Sequence, residues 1–151
     1  MMRRRDFLSS ASALVMLSMT GGCGNQRQGP EAVKLDRDVC ELCRMIISDI
    51  RYAAEIRGGP RGKLVKFDDI GCAVQWMQGV AWKDAPETEF WVMNSRDGKT
   101  WLDARVAAYA PGATTPMDFG FAALATPETG TVPYAVMADA VMARATVTPA
   151  G

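Results

Sequence analysis

A chain of 151 residues with 48% hydrophobic and 23% charged residues has the composition of an ordinary globular protein, which excludes wholesale disorder. That length accommodates one domain, or two small subdomains sharing a core. The formal net charge is zero and the chain contains no histidine. Both the basic footprint of a nucleic-acid binder and any imidazole-based site are thereby removed.

Residues 1–22 read as an export signal and stand outside the fold argument. Arg3-Arg4-Arg5-Asp6 is a charged start, and Phe7 to Met19 is an apolar run with small residues. The run is shorter than the roughly 20 residues a bilayer span requires. Arg4-Arg5-Asp6-Phe7-Leu8 resembles a twin-arginine export signal, a route that carries folded cargo. Thr20-Gly21-Gly22 before Cys23 resembles a bacterial lipoprotein processing box, with Thr20 where leucine is usual. Acylation of Cys23 would tether the protein to a membrane surface while the domain stays in water. Plain cleavage nearby, with Cys23 a bystander, is the alternative. Removing residues 1–22 takes away Arg3, Arg4, Arg5 and Asp6, leaving 14 basic and 16 acidic residues, a charge of about −2.

Residues 23–38 read as anchor and linker, with Gly24 to Pro30 polar and flexible, and residues 39–146 as the domain proper. Tyr52 to Arg57 and Lys63 to Phe67 read as strands around the turn residues Gly58-Gly59-Pro60-Arg61-Gly62. Asp68-Asp69 supplies an N-cap for a helix from Ile70 to Gln78, which Gly79 ends. Ile70, Ala73, Val74 and Met77 share its apolar face, and Cys72 lies off that stripe as a flank residue rather than a core one. Glu89 to Asn94 and Lys99 to Leu102 form a second strand pair around Asp97-Gly98. Asp103 is placed to cap a short helix through Arg105 to Tyr109, ended by Pro111-Gly112. Phe119 to Leu124 reads as a strand, Ala135 to Arg144 as a closing helix, and the tail from Thr146 as frayed. The fold class is therefore α+β, with two related small halves, each a strand pair with a packed helix.

The chemistry concentrates in Cys40-Glu41-Leu42-Cys43-Arg44-Met45. A structural zinc site normally takes four ligands, and one Cys pair with only Cys72 to spare does not supply them. A thioredoxin-like redox site needs a βαβ context that the strand-rich sequence after Cys43 lacks. A Cys40–Cys43 disulfide stays open, because exported proteins meet an oxidising compartment. So does Cu(I), which prefers soft sulfur donors. If Cys43-Arg44-Met45 is extended, thiolate and thioether project from one face, and Cys40 approaches only if the chain turns between the two cysteines. Pro116 stiffens the entry to Met117, which a short polar loop presents. One thiolate with two thioethers would make a low-coordinate, charge-neutral Cu(I) site.

Taken together, these segments resemble the NosL family, accessory lipoproteins of nitrous oxide reductase. Cys40-Glu41-Leu42-Cys43-Arg44-Met45-Ile46 is similar to the family's Cys-x-x-Cys-Gly-Met signature. Phe67-Asp68-Asp69, Asp97 to Ala104 and Thr115-Pro116-Met117 follow in family order, so the likeness spans roughly Val39 to Leu124. It implies a fold of two related α+β halves and a membrane-anchored periplasmic protein that passes Cu(I) to the copper centre of nitrous oxide reductase during denitrification. Cys43, Met45 and Met117 are the implied ligands, with Cys40 next. Arg44 stands where the family usually has glycine, and Asp118-Phe119 stands where it commonly has glycine and sometimes histidine.

The remaining conspicuous residues read as structural. Trp76, Trp82, Trp91 and Trp101 fit packing positions, and Asp68 and Asp69 fit helix capping better than acid–base work. No nucleophile–base–orienter set exists without histidine, and no glycine-rich phosphate loop precedes a helix. The expectation is a non-enzymatic copper chaperone, with an exported thiol–disulfide or structural-disulfide module using Cys40 and Cys43 as the alternative.

Overall fold

A computed structural model describes residues 28–145. The export signal, Cys23 and the tail from Thr146 lie outside the described residues. The elements are a short 3-10 helix (Ile50–Tyr52), which takes up Tyr52 so that the first strand starts at Ala54, then β1 (Ala54–Gly58), β2 (Lys63–Phe67), α1 (Ile70–Gln78), β3 (Glu89–Met93), β4 (Trp101–Asp103), β5 (Ala108–Pro111), β6 (Phe121–Leu124) and α2 (Tyr134–Ala145). The fold is α+β. The strand pairs β1–β2 and β3–β4 join into one antiparallel sheet of order β2-β1-β3-β4, and β5 and β6 form a separate hairpin. Among the described residues no helix is long and apolar enough to cross a membrane.

Strand alternation gives the sheet two different faces. Ile56 stands opposite Val65 on one side and Phe90 on the other, and all three are buried. Against this face packs α1, with Ile70, Ala73, Val74 and Met77 in the core as their spacing predicts. Ile70, Val74 and Met77 each contribute about 2 kcal/mol by leaving water, and Ala73 less than about 1 kcal/mol. Asp69 caps the helix by accepting the Gly71 N–H at 2.8 Å, and Gly79 closes it.

The opposite face carries Glu55, Arg57, Lys66 and Glu89, and residues 28–38, from the stretch read as linker, are fastened along it. The Gln28 and Gly29 N–H groups donate to the Glu89 carboxylate at 2.8 and 3.0 Å, and that of Glu31 donates to Glu55 at 2.8 Å. The Lys66 ammonium donates to the Ala32 carbonyl at 2.8 Å and to Asp38 at 2.7 Å. Under this strap Glu55 is completely buried, and burial pushes its carboxyl up to about 7 against the pull of the Glu31 N–H and Lys66.

Two sequence expectations need correction. The helix expected over Arg105 to Tyr109 is a single turn followed by strand β5. Asp103 does cap that turn, accepting the Arg105 N–H at 2.9 Å. Tyr109, however, is buried, exchanges both backbone bonds with Val132, and donates its hydroxyl to the Ala104 carbonyl. Those long-range pairings outweigh a five-residue helix, which is marginal by itself. The second correction is Cys72, which is 1% exposed and part of the core. The apolar stripe describes only the face of α1 that meets the sheet; its first turn is also covered by loops from both directions along the chain.

Candidate metal centre

The loop bearing the first two cysteines is built by a turn inside a two-residue clasp. Val39 and Ile46 pair across it, the Cys40 N–H donates to the Met45 carbonyl at 2.8 Å, and the Arg44 N–H returns to the Cys40 carbonyl at 3.0 Å. The chain therefore does turn between Cys40 and Cys43. Arg44 closes the turn at φ 65°, in the left-handed region that a Cβ disfavours. Cys43-Arg44-Met45 is consequently not extended, and the same-face convergence expected of Cys43 and Met45 is not the geometry adopted. Met45 is instead 52% exposed, two residues from Cys43.

Further bonds press this loop onto the head of α1. The Glu41 N–H donates to the Lys66 carbonyl at 2.9 Å, and the Ser48 N–H donates to the Asp68 carboxylate at 2.9 Å. Cys72 occupies the third position of α1 and meets the loop there. The sulfurs of Cys40, Cys43 and Cys72 all lie within 4.8 Å of one another, and all three are free thiols. Cys40 is 0% exposed, Cys72 is buried, and Cys43 is the member that reaches solvent.

The trio shares its protons unequally. The Cys72 thiol donates to Cys40, and this bond, reinforced by the Asp68 N–H and by Cys43, holds the Cys40 thiol at about 5 despite its burial. Donating that proton pushes Cys72 upward, with burial adding to the effect, while burial chiefly raises Cys43. The arrangement favours the charged form at Cys40 and keeps the proton on Cys72. Metal–thiolate bonds of about 2.3 Å put the sulfurs of a trigonal site about 4 Å apart, so this trio needs little movement to hold one ion.

Met117 approaches the same helix end from the other side. Its N–H donates to the Asp69 carboxylate at 3.1 Å, and its side chain packs partly buried against the core. Next to Cys72, Gly71 lies beneath the Phe119 ring so closely that a Cβ there would sit 2.0 Å from Phe119 Cγ. The Arg144 guanidinium of α2 secures the loop's outer side, donating to the carbonyls of Asp118 at 2.7 Å and Phe119 at 3.1 Å.

Sequence reasoning placed Cys40, Cys43, Met45 and Met117 in one site but set Cys72 aside. The available signal was a third cysteine three residues past a helix cap in a chain without histidine. Trp76 and Trp82 pack as expected, Trp76 lying tilted against Phe67 and edge-on to Trp82. A groove of about 690 Å³ along the β1–β2 turn and Trp82 is lined by none of the cysteines. In the loop that carries Cys40 and Cys43, Leu42 and Met45 are exposed apolar side chains, standing beside the exposed Arg44. No protein-family model matches this sequence, and no curated protein matches it.

Proposed function

We propose that this protein is an exported Cu(I) chaperone whose cargo is held by the sulfurs of Cys40, Cys43 and Cys72, with Met117 as a further donor. The observation that carries the reading is three mutually close thiols, two of them buried, in a chain with no histidine. Soft sulfur donors suit Cu(I), whereas structural zinc takes four nitrogen, oxygen or thiolate ligands. Cys43 reaches solvent and Met45 stands exposed two residues away, so a recipient can add a donor there before the buried sulfurs release the ion. The exposed Leu42 and Met45 on either side of Cys43 offer apolar contact to a partner protein.

The resemblance to the NosL family supplies the recipient in this reading, the copper centre of nitrous oxide reductase, and a lipid anchor at Cys23. Its two departures gain a physical sense. Arg44 and Asp118, which replace usual family glycines, both stand at positive φ, 65° and 58°, where glycine is the favoured residue.

A thiol–disulfide exchange module fits less well. Its attacking sulfur must be both activated and accessible, whereas here the activated sulfur, Cys40, is fully buried and the accessible one, Cys43, is raised. Anaerobic titration of the reduced protein with Cu(I), in competition with a chromophoric chelator, tests the proposal. Tight one-to-one binding that weakens strongly in each of Cys40→Ser, Cys43→Ser and Cys72→Ser is expected. A wild-type protein that leaves all the copper on the chelator would sink the reading.

A further inference from the structure

Two adjacent carboxylates at the head of α1 connect every segment that bears a sulfur of the site. Asp68 accepts the Ser48 N–H at 2.9 Å, and its own N–H points at the Cys40 sulfur, so it fastens the first loop. Asp69 is 0% exposed and uses its two oxygens differently. One accepts the Gly71 N–H at 2.8 Å and caps the helix; the other accepts the Met117 N–H at 3.1 Å, 48 residues away. Capping alone needs a single acceptor, which serine, threonine or asparagine also provides. The second oxygen instead ties the methionine loop to the turn that carries Cys72. Phe119 seated on Gly71 and Arg144 on the Asp118 and Phe119 carbonyls hold the same loop from its far side.

We infer that Asp69 is a positioning residue that couples the thiol trio to Met117, fixing the methionine backbone so that its thioether reaches an ion held by Cys40, Cys43 and Cys72. This rests on the copper reading above. Asp69 touches no cargo itself; it acts through the Met117 N–H.

Asp69→Asn separates the two roles. The amide oxygen still caps Gly71, but the amide nitrogen then faces the Met117 N–H, two donors without an acceptor. The reduced full chain, labelled with ¹³C-methyl methionine, is titrated anaerobically with Cu(I), and the Met117 methyl signal is identified by its loss in Met117→Leu. The wild-type methyl signal should move on copper addition, and in Asp69→Asn it should stay close to its metal-free position. Affinity should fall about ten- to a hundredfold, the usual effect of losing a residue that orients a ligand. It should fall by the same factor in Met117→Leu, with the double variant no weaker than either single one. Asp69→Ser, which keeps a cap oxygen and lacks the second acceptor, should reproduce the result and serves if Asp69→Asn does not fold.

A wild-type methyl shift persisting in both variants would overturn the inference, as would losses that add in the double variant. A Met117 methyl that ignores copper in the wild type would also overturn it while leaving the thiol site standing. Failure of the wild type to bind copper defeats the functional reading itself. In that event slow hydrogen exchange of the Met117 amide, abolished in Asp69→Asn, still decides whether Asp69 positions the loop.

Discussion

Replacing Gly71 by alanine should both destabilise the fold and loosen the methionine loop. The new Cβ would lie 2.0 Å from Cγ, 2.3 Å from Cδ2 and 2.6 Å from Cβ of Phe119. Ordinary carbon contacts begin near about 3.5 Å, so the ring must retreat by roughly 1.5 Å. Rotation alone does not relieve this, because the Phe119 Cβ is itself in collision and the adjoining backbone is held by Asp69 and Arg144. Overpacking of this kind costs about 1–3 kcal/mol, and involvement of the Cβ puts it in the upper half. Alanine's better helix propensity offsets about 1 kcal/mol. The net expectation is a loss of about 1–2 kcal/mol, or roughly 3–10 °C in Tm for a domain of this size. Calorimetry or urea unfolding of the metal-free, reduced protein measures it, and Cu(I) affinity should drop in parallel. A Gly71→Ala protein that melts at or above the wild-type temperature would refute the reasoning that this glycine exists to seat Phe119.

Other outcomes follow from the same structure. Because burial pushes the Glu55 carboxyl up to about 7 from its ordinary 4.5, the native state holds its proton more tightly. Its contribution is complete below pH 4.5 and is lost as pH rises through 7, a difference of about 3 kcal/mol. Glu55→Gln should flatten the pH dependence of urea unfolding between pH 5 and 8, and an unchanged slope would remove Glu55 as its source. Arg44→Gly should stabilise the metal-free protein by about 1 kcal/mol by relieving left-handed strain. The 3.8 Å Arg44–Glu41 pair it deletes is largely exposed and contributes little; a lower Tm would contradict this. Tyr109→Phe should lose about 1 kcal/mol, since the buried Ala104 carbonyl is left without its hydroxyl donor, and thermal unfolding checks it.

Local signals in the chain carried α1 almost completely, because its cap, apolar spacing and terminal glycine all lie within 11 consecutive residues, Asp69 to Gly79. The hairpin around Gly58 to Gly62 was legible for the same reason. Where a long-range partner decides, the sequence was silent. Asp103 announces a helix but starts only a turn, because Val132 claims Tyr109. Cys72 sits off the stripe that faces the sheet, yet loops from residues 40–43 and 117–119 cover its side of the helix. The expected approach of Met45 to Cys43 depended on an extended backbone that Arg44 does not adopt. Residues 28–38 read as polar linker because their acceptors, Glu89 and Glu55, belong to strands far along the chain.

The thiol trio draws its members from a loop before β1 and from a helix after β2, with the Met117 loop arriving from beyond β5. No short stretch of chain contains the whole site: an unfolded chain keeps the Cys40–Met45 cluster but loses Cys72 and Met117 from beside it. Any ion held by the trio therefore discriminates between folded and unfolded molecules and must shift the equilibrium between them. At a free concentration 1,000 times the dissociation constant, that linkage adds at most about 4 kcal/mol to stability, reduced by whatever the Cys40–Met45 cluster binds in the unfolded chain. Occupancy becomes readable as a melting temperature, and a loaded chain resists unfolding and proteolysis that an empty one does not.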